Sequence, residues 1–395
     1  MCTLVSTIIF CGLLLGGLST HAQQIESLEV VAKQEPSPSP SPDPNQTTAT
    51  KPKKVKRGEF VIAPIPISSP AIGSGFVLAL GYIFQVDKND TTSPPSVVGG
   101  LGMRTNNGSR AGIIGGSLHF KKDQYRIAAV AGRFDVNVDF FGVGHFAGDR
   151  GVEVPLNFSG KGFLVQGFYR VHPDQVYVGA RFQVRDLSAR LNRDGRNLPQ
   201  DIVDAIPGDL LNARTVAIGP RFLWDTRDNS FYPTKGHQFE LGANFFGKGI
   251  GSRFTYQTYS AAFNKYFSLD EKQVIAYRVM GCSANGARVP IYDLCLYGSS
   301  NDLRGYATGQ YQDRRMFATQ AEYRRKLRWR FGMAAFAGVG GIARELNQFR
   351  SDELLPSAGA GIRFRLTKTN PVNFRIDYGV GRGSHTLSIS VGEAF

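Results

Sequence analysis

NFRIDYGVGRGSHTLSISVGEAF, residues 373–395, is the stretch that decides the fold. Phe374, Ile376, Tyr378 and Val380 oppose Arg375 and Asp377. Further on, Leu387, Ile389, Val391 and Phe395 share one face, and Thr386, Ser388, Ser390 and Gly392 the other. Successive side chains on a strand point to opposite faces, so this reads as two strands, each with an apolar and a polar side. The preceding GIRFRL repeats the pattern, with Ile362, Phe364 and Leu366 opposing Arg363 and Arg365. Two architectures share such alternation. In a soluble sandwich the apolar face is the inside; in a membrane barrel it meets lipid and the charged face lines a wet interior.

The connections separate the two. Working back from Phe395, short turns (367–371, 326–330, 268–272, 232–236, 171–175, 121–124) alternate with mostly longer segments (344–356, 281–313, 247–253, 192–212, 142–155). Short on one side and long on the other is the pattern of an outer-membrane barrel. From Phe60 onward, period-two alternation recurs, and no apolar run reaches the roughly twenty residues of a helical span. The expected fold is all-β: a transmembrane antiparallel β-barrel of sixteen strands. About fifteen strands follow Phe76, and FVIAPIPI (60–67) supplies the sixteenth, its prolines suiting an edge. The longest connection, 281–313, is rich in glycine and carries one arginine within Leu303-Arg304-Gly305-Tyr306, which suits a loop folded into the lumen.

Composition agrees with this reading. Glycine (46), Phe (28) and Tyr (15) far outnumber Met (5) and Trp (2), which favours strand over helix. The net charge of +14 comes from basic residues interleaved with apolar ones, so it fits a pore lining or an anionic membrane face and not nucleic acid. Residues 1–22 contain an apolar run too short for a span and end in Thr20-His21-Ala22, the form of a cleaved export signal. Residues 23–57, with EPSPSPSPDP and KPKKVKR, have the composition of a disordered linker, which leaves 58–395 for the barrel. Beyond the signal only Cys282 and Cys295 remain. In an exported chain they form a disulfide or stay two thiols, and the sequence leaves both open.

Two motifs go beyond a generic barrel. WDTRDNSFYPTKG (224–236) is similar to the Asp-x-Arg-Asp-Asn-x-x-Tyr-Pro-Thr-x-Gly signature of the bacterial surface-antigen barrels, the BamA/TamA superfamily. LYGSSNDLRGYATGQYQD (296–313) resembles that family's inward-folded loop, and QAEYRRKL and PVNFRIDYGVG match as well. The resemblance covers 58–395 and implies a sixteen-stranded barrel in the outer membrane of a Gram-negative bacterium. It implies that Arg304, at the loop tip, is held by acidic groups on the inner wall. Where many members carry Phe-x-Asp-x-Gly, this chain has Phe336-Ala337-Gly338-Val339-Gly340. The phasing of Glu322 and Asp377 makes them the substitutes. Members that insert or secrete proteins carry periplasmic receptor (POTRA) domains, and residues 23–57 are too few for one, so a stand-alone barrel is expected.

Catalytic signatures are missing. There is no Gly-x-Ser-x-Gly elbow, phosphate loop, Cys-x-x-Cys or His-x-x-x-His, and the six histidines are scattered. Asp225, Arg227 and Asp228, followed by Pro233 and Gly236, read as an ion-paired turn in preference to a cation site. The expectation is therefore no enzyme, cofactor or metal. A lipid hydrolase built on His119 or His385 with a serine is the least supported alternative. The function expected is a structural or translocation component for a polypeptide or lipid, with a passive anion-leaning pore as the alternative. The partners expected are outer-membrane lipids, the barrel-assembly machinery reading terminal Phe395 by strand addition, and a separately encoded periplasmic protein.

Overall fold

The computed structural model describes residues 58–69, 73–90, 92–151, 154–191, 212–229, 232–297, 302–365 and 373–395. The expected export signal and linker, the turn at 367–371 and most of 192–212 lie outside the described residues.

Among the described residues, strand-forming alternation becomes strand nearly everywhere it was read, the exception being the last residues of the chain. The first ten are β1 (Glu59–Ser69), β2 (Gly73–Phe84), β3 (Ser96–Thr105), β4 (Arg110–Phe120), β5 (Tyr125–Phe140), β6 (Val154–His172), β7 (Val176–Leu191), β8 (Asn212–Asp225), β9 (Gly236–Phe246) and β10 (Tyr256–Ser268). After β11 (Gln273–Asn285) comes a long loop holding the small hairpin of β12 (Cys295–Leu296) and β13 (Gln312–Asp313). The chain then continues through β14 (Arg315–Lys326), β15 (Phe331–Ala343), β16 (Leu355–Arg365), β17 (Asn373–Gly381) and β18 (Ser384–Val391). Apart from the hairpin, these form one sixteen-stranded sheet in which each strand pairs antiparallel with its neighbours in sequence. Among the described residues, β1 pairs only with β2 and β18 only with β17. Pro64 and Pro66 thus fall on an end strand, where a missing N–H costs least.

The burial pattern is inverted relative to a soluble protein. Arg181, Gln183, Arg185, Arg324, Arg375 and Asp377 are buried, while Ile114, Ile218, Ile362 and Leu387 are each more than half exposed. Water-facing surfaces do not carry apolar columns of that length while charges are hidden; lipid-facing walls do. A soluble sandwich is excluded on this ground. The sheet curls around its polar face far enough for loops on opposite sides to meet. The ring of His145, in a short helix α1 (His145–Arg150) between β5 and β6, hydrogen-bonds the carbonyl of Glu353 between β15 and β16.

What fills the interior is the β11–β14 loop. Its Val289, Ile291 and Tyr292 pack with Val136, Val138, Leu156, Leu187, Phe246 and Tyr256 of the wall. Its Cys295, Tyr297, Leu303, Tyr306 and Tyr311 form a second cluster with Met316, Ala318, Ile342 and Leu355.

One expectation about the last strand needs correcting. Phe395 does not continue the lipid-facing column of Leu387. The strand ends at Val391, Gly392 takes a positive φ of 87°, and the tail turns inward. Glu393 is buried and pairs with Arg363 at 2.9 Å, and Arg324 donates to the Phe395 carbonyl at 2.6 Å. Arg363 and Arg324 thus hold the tail on the lumenal side.

Candidate functional site

The period-two phasing of β14 puts Gln320, Glu322 and Arg324 on the lumenal face, and that of β17 puts Arg375 and Asp377 there. The loop tip descends onto this surface. Arg304 is buried; its Nη1 lies 2.6 Å from Glu322 Oε2 and donates to Asp377 Oδ2 at 2.8 Å. Its Nε donates to Gln320 Oε1 at 2.8 Å, and the guanidinium stacks 3.5 Å over the Phe336 ring. The structure therefore brings Arg304 against both candidate carboxylates and not a single one.

Around the guanidinium the backbone comes very close. Gly305 has φ of 120°, and a Cβ there would lie 2.7 Å from the Val380 carbonyl oxygen of β17, so only glycine fits. Tyr306 follows, its hydroxyl donating to the Pro356 carbonyl at 2.5 Å and accepting from the Arg382 N–H at 3.0 Å. Leu303 occupies the space over Gly338: a Cβ on that glycine would sit 3.0 Å from Leu303 Cδ1 and 2.6 Å from the Thr319 carbonyl oxygen. The acid missing from position 338 thus has no room there, and the negative charge comes from the neighbouring walls.

Charge is shared further. Arg324 Nε meets Glu322 Oε1 at 2.6 Å, Arg363 Nη1 meets Asp377 Oδ1 at 2.5 Å, and Arg363 Nη2 meets Glu322 Oε2 at 3.3 Å. Arg375 Nη1 lies 3.3 Å from Asp377 Oδ2, and Glu393 joins through Arg363. Arg304, Arg324, Arg363 and Arg375 thus surround Glu322, Asp377 and Glu393. A buried ion is costly alone, and a network with every carboxylate shared is how the cost is offset.

The Omp85 superfamily domain matches residues 174–395, more than half of the chain and the part that contains this lock. The chain belongs to the Omp85 superfamily. Solved structures that share the fold include two of the Omp85 type. BamA from Haemophilus ducreyi lacking POTRA domains 1-3 aligns with a TM-score of 0.55 at 14% identity, covering 85% of this chain and 69% of that one. CdiB from Acinetobacter baumannii aligns with a TM-score of 0.53 at 11% identity, covering 85% and 65%. Among curated proteins none matches the sequence. Membership places this Omp85 barrel in the outer membrane of a Gram-negative bacterium, among proteins of translocation or assembly.

A second anchor in this Omp85 loop escaped sequence reading. Arg185 of β7 donates to both Asp293 oxygens at 2.8 Å, and the Tyr256 hydroxyl of β10 donates to the same carboxylate at 2.6 Å. Nothing in the local sequence around Asp293 marks it. Its partners come from strands 37 and 108 residues away. A disulfide joins Cys282, on β11, to Cys295 with Cα atoms 5.7 Å apart, fastening the loop to the wall. At the outer end, the Tyr311 hydroxyl donates to Asp149 Oδ1 at 2.8 Å, and Gln312 Nε2 to the Gly142 carbonyl at 2.7 Å.

The turn motif is ion-paired internally. Arg227 makes two 2.8 Å hydrogen bonds to the Asp225 carboxylate. Burial pushes the Asp228 carboxyl up, but bonds from the Thr234 hydroxyl and the Thr234 and Lys235 N–H groups prevail and hold it below its ordinary value. Pro233 is buried beside it, and Gly236 has φ of 89° where a Cβ would strike the Thr226 carbonyl. Among the described residues, no group of His, Cys, Asp and Glu could hold a metal. His119 Nε2 lies 2.8 Å from Ser117 Oγ, but both are buried on the lumenal face, and among the described residues no group bonds His119 Nδ1 to orient it. His385 lies on the outer face, exposed beside Tyr378.

Proposed function

We propose that this chain is a gated outer-membrane translocation or assembly component for a polypeptide or lipid, with the β11–β14 loop as the gate and not merely a filling. The observation that carries the reading is the buried Arg304 cluster: one loop side chain meets carboxylates from two separate wall strands, β14 and β17. An interaction of that kind holds a loop in one place and can be released as a unit. A passive diffusion pore would leave its lumen unobstructed. Here a disulfide, two ion-paired anchors and two apolar clusters occupy it. Lumenal Arg181, Arg221 and Arg278 would give the opened channel an anion preference. A separately encoded periplasmic protein is the partner proposed for delivering the client, and no catalysis is assigned to the barrel.

Planar-bilayer recording on the refolded full chain tests this. Closed or briefly flickering wild-type barrels, together with steady openings when residues 287–312 are replaced by a short glycine-serine linker, are expected. A steady, anion-selective conductance of the unmodified chain would replace this reading with the passive pore.

A further inference from the structure

The outer face of the wall is not uniform. On β9 to β11 and β15 to β17, the outward columns carry no charged residue in their extracellular halves: Leu241 and Phe245, Tyr259, Val279, Val339, Ala360 and Val380 occupy them. On β4 to β8 the outward columns change character abruptly. One register row reads Ile114, Ala131, Phe163, Val184, Val216, apolar throughout. The next outward row toward the long loops reads Gly112, Arg133, Lys161, Asp186, Arg214. The row beyond is Arg110, Asp135, Ser159, Ser188, Asn212. Between these two polar rows runs a groove of about 1000 Å³, floored by the backbone of the intervening row and closed at one end by Arg253. Five strands at ~4.8 Å spacing make it about 19 Å long.

The charges within it are unequally satisfied. Arg110 pairs with Asp135 at 3.1 Å and Lys161 with Asp186 at 4.0 Å. Arg133 and Arg214 are exposed and make no ion pair among the described residues; they stand three strand steps apart, about 14 Å. Two exposed guanidinium groups without an ion-pair contact among the described residues, at that separation and directly above an apolar wall, match a ligand with two anionic groups and hydrocarbon chains beneath them. Guanidinium forks suit phosphate oxygens, and charge attraction at the headgroup level adds to apolar burial below.

We propose that this groove binds the diphosphorylated sugar headgroup of an outer-leaflet glycolipid. Arg133 and Arg214 each take one phosphate, Lys161 lies between them, and the acyl chains run down over Ile114, Phe163, Phe182 and Ile218. Asp135 and Asp186 hold Arg110 and Lys161 in place and keep the site from being a nonspecific cationic patch. The site faces lipid and is separate from the lumenal lock.

Native mass spectrometry of the refolded full chain, titrated with lipid A carrying both phosphates, tests the assignment. A defined one-to-one adduct is expected, weakened by at least about tenfold in Arg133→Gln/Lys161→Gln/Arg214→Gln. The charge-matched control Lys88→Gln/Lys122→Gln/Lys272→Gln, in the periplasmic turns, should bind as wild type does. Lipid A stripped of its phosphates should fail to form the adduct, and millimolar inorganic phosphate should not displace the intact lipid. Equal binding of the dephosphorylated lipid, or equal loss in the control, overturns the proposal. So does displacement by inorganic phosphate, which would make the ligand a free anion. An adduct seen only after residues 192–211, with their four aspartates, are deleted would assign the groove to that segment and overturn it too.

Discussion

At the level of single residues, the lock is defined less by Arg304 than by what Arg304 shares. Removing Arg304 leaves Glu322 with Arg324 and Arg363, and Asp377 with Arg363 and Arg375. Removing the charge of Asp377 leaves three guanidinium groups short of a partner. Asp377→Asn is therefore expected to cost about 3 kcal/mol or more of unfolding free energy, and Arg304→Ala about 2, measured by denaturant titration of the folded chain. Both changes should expose the loop to added protease, with the larger loss of stability in Asp377→Asn. An Arg304→Ala variant that proves the more destabilising would show that the carboxylates depend on it alone. Restoring an acid at Gly338 offers a second test. Gly338→Asp must displace Leu303 and crowd the Thr319 carbonyl, so it should loosen the loop tip, and Leu303→Ala in the same chain should recover only the part of the protease resistance lost to the Leu303 contact. Phasing made Glu322 and Asp377 legible in sequence because both alternate with apolar neighbours on wall strands. Gln320, Phe336 and Arg363 around Arg304 were not legible as its surroundings, because cross-strand register is not written in either strand alone.

At the level of elements, the strands were readable nearly everywhere, since period-two alternation survives in both a lipid-facing and a lumen-facing wall. The C-terminal tail was not. Its last residues continue the apolar spacing, but after Gly392 the electrostatics of Arg324 and Arg363 govern their direction. Glu393 accordingly acts as a tether for β18, which has a strand partner only on its β17 side among the described residues. Glu393→Gln should raise amide exchange across residues 384–391 by about tenfold while leaving β14 protected. Deleting Phe395 tests the expected reading of the last strand by the barrel-assembly machinery: it should lower the amount of heat-modifiable barrel recovered from cells. Should both changes alter exchange and leave cellular levels untouched, the terminal residue has only the lumenal role.

For the whole molecule, the inverted burial was foreseeable from connection lengths, but how the lumen is filled was not. The fill consists of contacts between parts of the chain that are far apart: 73 residues separate Arg304 from Asp377, 108 separate Arg185 from Asp293, and 208 separate His145 from Glu353. That spacing imposes an order in time. Neighbouring strands can pair as soon as they meet, but the Arg304 anchor has no seat until β17 is in place. Refolding should therefore pass through a species with the wall formed and the plug still outside: resistant to unfolding on gels, yet cut by protease within 286–314. Simultaneous gain of both kinds of resistance would show that wall and plug form together. If the species is found, the last event in the life of a newly made barrel is the loss of its own open state.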